Sequence, residues 1–148
     1  VTGVQTCALP ISAWRDWVKR PVSEIEMREL TPEKVSPMYE MRFWAPVKGD
    51  QLPLGLDYAM FDFAVNSGPG RAAKTLQEVV GVAPDGALGS RTMAALEAIP
   101  VEGLIHDLCE SRAAFIRSLS TFATFGKGWL ARIEKVREAA KAMAAGEK

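Results

Sequence analysis

The sequence predicts an all-α fold packed around one buried central helix, and three observations carry this. Apolar residues recur at i, i+3, i+4 through most of the chain, the spacing of an amphipathic helix. Helix-start and helix-stop residues fall at the edges of those runs. No segment shows the sustained apolar/polar alternation of a half-buried strand.

Taken in order, Ala13 to Arg20 places Trp14, Trp17 and Val18 at helical spacing, and Pro21 is expected to end that helix. Ser23-Glu24-Ile25-Glu26 is a capping-box pattern: the Ser23 hydroxyl can accept the Glu26 N–H while the Glu26 carboxylate reaches back. Thr31 is the next N-cap, with Pro32 at the first helical position, where a missing N–H costs nothing. Pro37 falls inside that helix and is expected to kink it, before Met38, Tyr39, Met41 and Phe43. Ala45 to Pro53 reads as a loop.

Leu54 to Asn66 is the central helix. Its run from Tyr58 to Val65 is nearly all apolar, so it should be buried on most sides. Asp57 and Asp62 accompany that run, and a buried Asp needs a partner. Gly68-Pro69-Gly70 breaks the helix. Arg71 to Val80 is amphipathic through Ala72, Leu76, Val79 and Val80, and Gly81 closes it as C-cap. Asp85-Gly86 makes a turn, and Ser90 is expected to cap a short helix through Ala98. From Val101 to Leu119 the apolar positions keep helical phase for about five turns. Phe122 to Gly128 reads as an aromatic loop, and a last helix runs from Trp129 past Ile133, Val136 and Ala140. The expected architecture is seven or so helices around one core.

Composition narrows the function classes. A chain of 148 residues suits one domain with a single core, and the mean hydropathy of +0.01 is that of an ordinary globule. Eighteen basic against eighteen acidic residues leave no field to steer it toward nucleic acid. No apolar run reaches membrane-spanning length, so no membrane insertion is expected. With His106 as the single histidine, a zinc amidase site has too few ligands, and no metal or cofactor is expected. Cys7 and Cys109 are not expected to form a stabilising disulfide. His106 and Cys109 lie three apart on one helix, the spacing of a thiol and its base, but Cys109 falls on the apolar stripe and reads as a buried inert thiol.

The string FDFAVNSGPGRAAKTLQ, followed by GV, DG, LG and Thr92, resembles the C-terminal peptidoglycan part of glycoside hydrolase family 108, the phage-type muramidases and secretion-associated lysozymes. Lys127-Gly128-Trp129 with Arg132, and Arg112 in the preceding helix, also match. The resemblance covers roughly Ala13 to Ala140 and implies a lysozyme-like helical domain. LQ with DG and G-x-x-T alone is less specific, since general peptidoglycan-binding modules share it. On this reading 13–50 is a remnant of the family's catalytic region, 51–140 the peptidoglycan domain packed into the same globule, and 141–148 a polar tail. Residues 1–12, VTGVQTCALPIS, fit nothing after them and resemble translated sequencing adapter; the other reading is a genuine disordered N-terminus. The family's catalytic glutamate, followed by two glycines, belongs just upstream of Ala13 and is expected to be missing, together with any small sheet.

Cleaving a glycan by the two-carboxylate route needs an acid with a raised pKa and a second group to assist water or stabilise positive charge. Asp62 is the one carboxylate embedded in a strongly apolar run, which makes it the candidate acid on chemistry alone; the alternative is a structural Asp bonded to a hydroxyl, a backbone amide or an arginine. Glu24, Glu26, Glu29, Glu33 and Glu40 lie on polar faces as solvated charges or caps. The resemblance implies that Asn66 lines the cleft and that Arg132 is the arginine that orients the catalytic glutamate. Against these stand a helix-end amide and an ordinary ion pair. Trp129 can stack on a sugar face or belong to the core. The candidate substrate-binding set is therefore Tyr58, Asp62, Asn66, Trp129 and Arg132.

What the resemblance implies for function is muramidase-type cleavage of the β-1,4 bond of bacterial peptidoglycan, without cofactor, by a monomer. The setting would be an endolysin or secretion activator of prophage type, made in the cytoplasm and acting in the periplasm or cell wall after holin-type release. The competing expectation is a module that holds peptidoglycan without cutting it.

Overall fold

The computed structural model describes residues 10–146. They form eight α-helices and no strand, so the fold is all-α. The chain divides into two compact units, the first ending at Arg42 and the second beginning at Phe43. Cys7 and the first nine residues of the segment expected to be foreign lie outside the described residues.

The first unit holds α1 (Ile11–Val18), α2 (Glu24–Arg28) and α3 (Pro32–Tyr39). Helix α1 begins two residues earlier than expected and ends before Pro21 acts. Lys19 takes a left-handed conformation (φ 59°) and its N–H returns to the Arg15 carbonyl at 2.8 Å. Ser23 caps α2 by accepting the Glu26 N–H at 3.2 Å. The reciprocal half of the capping box is replaced. The Glu26 carboxylate accepts from both terminal nitrogens of Arg20, at 2.8 and 2.6 Å, and from Trp14 Nε1 at 3.4 Å. A bidentate guanidinium outcompetes one backbone amide for a carboxylate, and it holds the Glu26 pKa below the usual range. Thr31 caps α3, with Pro32 in its first turn. The helix carries on through Pro37 and then widens into a π turn, Glu40–Trp44.

The second unit contains the core. Helix α4 (Leu56–Ser67) lies at its centre, packed against α5 (Pro69–Val80), α7 (Val101–Ser118) and α8 (Phe122–Ala144), while α6 (Ser90–Glu97) packs on α5. Leu56, Ala59, Met60, Phe61, Phe63 and Ala64 are all buried, as a run apolar on most sides requires. Gly68 joins α4 to α5 alone. Its φ of 92° stops the first helix, and Pro69 starts the second one residue later. Before α4, the Trp44 indole lies over Gly49, where a Cβ would overlap the ring. It meets Phe61 edge-on at 5.8 Å and donates to Asp50 at 2.9 Å.

Two local expectations are corrected here. Ser90 is the first helical residue of α6 rather than its cap; Gly89 holds the cap position, with no side-chain hydrogen bond. Phe122 to Gly128 is helix rather than loop, and α8 runs unbroken over 23 residues. The glycines discouraged a helix there, but Gly126 leaves room for the Phe122 ring one turn back, and Phe125 stacks on Trp129 at 5.5 Å. Side-chain packing at i, i+4 offsets the intrinsic penalty of glycine.

Candidate active-site groove

The central polar feature of the second unit is built on Asp62. It sits on α4 at 3% exposure among Phe61, Phe63 and Ala64, where an uncompensated charge would be costly. Two arginines compensate it. Arg112 of α7, itself 4% exposed, donates Nη1 to Asp62 Oδ2 at 2.8 Å. Arg132 of α8 donates Nε and Nη2 to Asp62 Oδ1 at 3.1 and 2.5 Å. One carboxylate thus ties α4, α7 and α8 together. The hydrogen bond from Arg132 to Asp62 holds that guanidinium's pKa above its ordinary value. The Arg112 guanidinium lies over the Phe63 ring at 5.2 Å, and its Nε is buried without a partner among the described residues.

Asn66 stands one turn after Asp62. Its amide nitrogen donates to the Asp62 carbonyl at 2.9 Å and to Asp62 Oδ2 at 3.3 Å. Asn66, Ser67, Arg112, Trp129 and Arg132 then line a small pocket of about 100 Å³ whose apolar side comes from Ile116, Leu119 and Ile133.

Of the five candidates, the structure brings Asn66, Trp129 and Arg132 to one pocket, with Asp62 bonded to two of them. Tyr58 lies one turn before Asp62 on α4, half-buried and outside the pocket lining, with its hydroxyl close enough to Arg132 to interact electrostatically. Trp129 is shared between core and pocket: it packs on the hydrophobic cluster and also lines the cavity. Arg112 joins the site although the sequence analysis does not place it there. The signal was available, because Arg112 falls in phase with Leu108, Cys109 and Ile116 on the buried stripe of α7. An arginine on such a stripe needs a buried carboxylate. Phe125, 53% exposed beside Trp129, carried no comparable signal.

The remaining motifs resolve into structure. Gln77, 1% exposed, donates to Asp85 Oδ1 (2.9 Å), the Ala87 carbonyl (2.9 Å) and the Thr92 hydroxyl (3.2 Å), and its Oε1 accepts the Gly86 N–H at 2.8 Å. The string LQ, DG, G-x-x-T is therefore one network that pins the α5–α6 connection. Asp85 shapes that turn, and its pKa is lowered by the Ala87 N–H and then by Gln77. Cys109 is buried, and burial pushes its thiol pKa up, opposite to what a nucleophile needs. His106 Nδ1 pairs instead with Arg137 at 3.0 Å. Among the described residues no group of three or more His, Cys, Asp or Glu could hold a metal, and no helix is long and apolar enough to cross a membrane.

The profile of glycosyl hydrolase 108 matches residues 8–68. The structure of SagA from Brucella abortus is 43% identical, with a TM-score of 0.85, over 92% of this chain and 78% of that one. This chain belongs to the glycosyl hydrolase 108 family. None of the curated proteins compared with it matches. Both halves of α4 that build the groove, through Asn66, lie inside the segment matched to the family. Family membership points to a peptidoglycan hydrolase of lysozyme-like function.

Proposed function

We propose that this chain forms the supporting wall of a muramidase cleft, holding a peptidoglycan strand along the groove of Asn66, Trp129 and Arg132 so that its β-1,4 bond can be cut by acid catalysis. The observation that carries this reading is the double clamp on Asp62. A proton donor needs a carboxyl oxygen free to face the leaving group. Both Asp62 oxygens already accept from guanidiniums, so Asp62 serves to position Arg132 and Asn66 rather than to donate a proton. The acid is then a carboxyl other than Asp62, and the part of this groove is to hold the wall polymer rather than to cut it.

The non-catalytic alternative is thereby folded into the proposal: binding belongs to this groove, and cleavage to a carboxyl other than Asp62. A cell-wall hydrolase of this kind acts in the periplasm, in phage-type lysis or in secretion. The test uses purified chain on insoluble peptidoglycan. Co-sedimentation without loss of turbidity is the expected result. Clear lysis that Asp62→Asn abolishes without unfolding the protein would move the chemistry onto α4, and absence of co-sedimentation would refute the binding role.

A further inference from the structure

A second groove in the second unit joins two charged residues that local structure by itself disfavours. Ser90, Met93 and Glu97, on one face of α6, form one wall. Leu88 before the helix and the segment of Lys48 and Gln51 complete an open cavity of about 460 Å³. Lys48 holds a left-handed backbone (φ 58°), which residues other than glycine rarely adopt. Its N–H donates to the Ala45 carbonyl at 3.0 Å, its own carbonyl accepts the Gln51 N–H at 2.8 Å, and the Trp44 ring packs over the next residue, Gly49. Glu97 ends α6, where the helix dipole opposes a negative charge and no basic residue shares the last turn. Among the described residues no ion pair joins Lys48 to Glu97, or either of them to another charge. Two local rules are thus broken in one cavity, as happens where a ligand rather than the fold requires the residues. Opposite charges that share a groove without neutralising each other suit a molecule that carries both.

We propose that this groove binds the short peptide that branches from the wall glycan, Lys48 taking a carboxylate and Glu97 the free ammonium of its diamino acid. That peptide carries both signs of charge, spaced by methyl groups and methylenes that match the apolar part of the groove at Leu88 and Met93. The exposed Gln51 amide and Ser90 hydroxyl are placed to meet its peptide groups. The glycan itself is a poor occupant: it is rich in pyranose faces, and no aromatic residue lines this groove to stack on them. The proposal rests on the peptidoglycan reading and adds to it a second contact, with a different part of the same polymer.

NMR titration of the full chain, labelled with nitrogen-15, tests this with three probes. The first is the wall tripeptide ending in its diamino acid, with the peptide N-terminus acetylated because the wall blocks it there. The second is the same peptide acetylated also on the diamino acid's amine, and the third is chitotetraose. The first is expected to shift the amides of Gln51, Gly89 and Met93, and chitotetraose to leave them in place. An exposed ion pair is worth roughly two- to fivefold in affinity, so Lys48→Gly and Glu97→Gln should each weaken the first peptide by about that factor. Neither substitution removes a side-chain hydrogen bond or ion pair, and glycine suits the left-handed backbone at position 48, so both variants are expected to fold. Blocking the amine should weaken binding to the unaltered protein by about two- to fivefold and make no further difference to Glu97→Gln. Equal binding of the two peptides by the unaltered protein, groove shifts caused by chitotetraose, or undiminished affinity in either variant overturns the proposal. Retained co-sedimentation with peptidoglycan alongside any of those results leaves the broader function standing. Its loss in the unaltered protein overturns the two together.

Discussion

Asp62→Asn is the most informative single change. The substitution preserves volume but removes the charge that compensates Arg112, which is 4% exposed and cannot turn to water. Arg132 is a third exposed and can relax toward solvent, so the loss falls mainly on the Arg112 side. The new amide also presents a donor where at least one guanidinium now donates, at Oδ1 or at Oδ2. Removing one partner of a buried pair costs about 3–5 kcal/mol, a large share of the roughly 5–15 kcal/mol that a domain has in total. At about 3–4 °C per kcal/mol for a chain of this length, the melting midpoint should fall by roughly 10–20 °C. Circular dichroism melts and urea titrations of both proteins measure this. Asp62→Leu combined with Arg112→Met should recover part of the loss, because an apolar pair of similar volume needs no compensation. A shift under about 1 kcal/mol would show that the clamp does not hold α4, α7 and α8 together, and would refute the reasoning.

Other changes test the rest of the frame. Gly68→Ala is expected to cost more than about 1 kcal/mol. Nothing lies within 4 Å of the added Cβ, so the whole effect comes from the positive φ and should appear in urea titration without altered packing signals. Gln77→Leu leaves the buried Thr92 hydroxyl and the Gly86 amide without their partner, at about 1–3 kcal/mol for each group left buried. Faster hydrogen exchange at Gly86, ahead of the core helices, is its expected signature. The Asp85 carboxyl has its folded pKa lowered by the Ala87 amide and by Gln77, so its contribution is present above the ordinary aspartate value and disappears as pH falls through the folded one. Melts from pH 6 downward should therefore show stability declining below about pH 4, with a shallower decline in Asp85→Asn. An identical slope in the two proteins would remove Asp85 from the network's energetics.

The groove is partly readable in the sequence alone. Tyr58, Asp62 and Asn66 are four apart, so one helix face must carry them, and an aspartate in an apolar run announces a buried partner. Which partner it takes could not be read. Arg112 and Arg132 are 50 and 70 residues away, and although the phase of Arg112 on the apolar stripe of α7 marks it as buried, no local pattern pairs either arginine with Asp62. The same limit explains the N-terminal half of α8. Gly126 and Gly128 argue against helix in isolation, and only a helix docked on α7 shows why the chain tolerates them.

By itself, then, the sequence determined the helical class, the identity of the buried helix, most helix ends and the family, because propensity, period and capping act within a few residues. The tertiary structure decided which charges meet. It closed Asp62 between two arginines, tied the Asn66 amide back to Asp62, and brought Trp129 to the same cavity. Those are contacts between residues far apart in the chain, and their energies depend on burial that only the packed helices create.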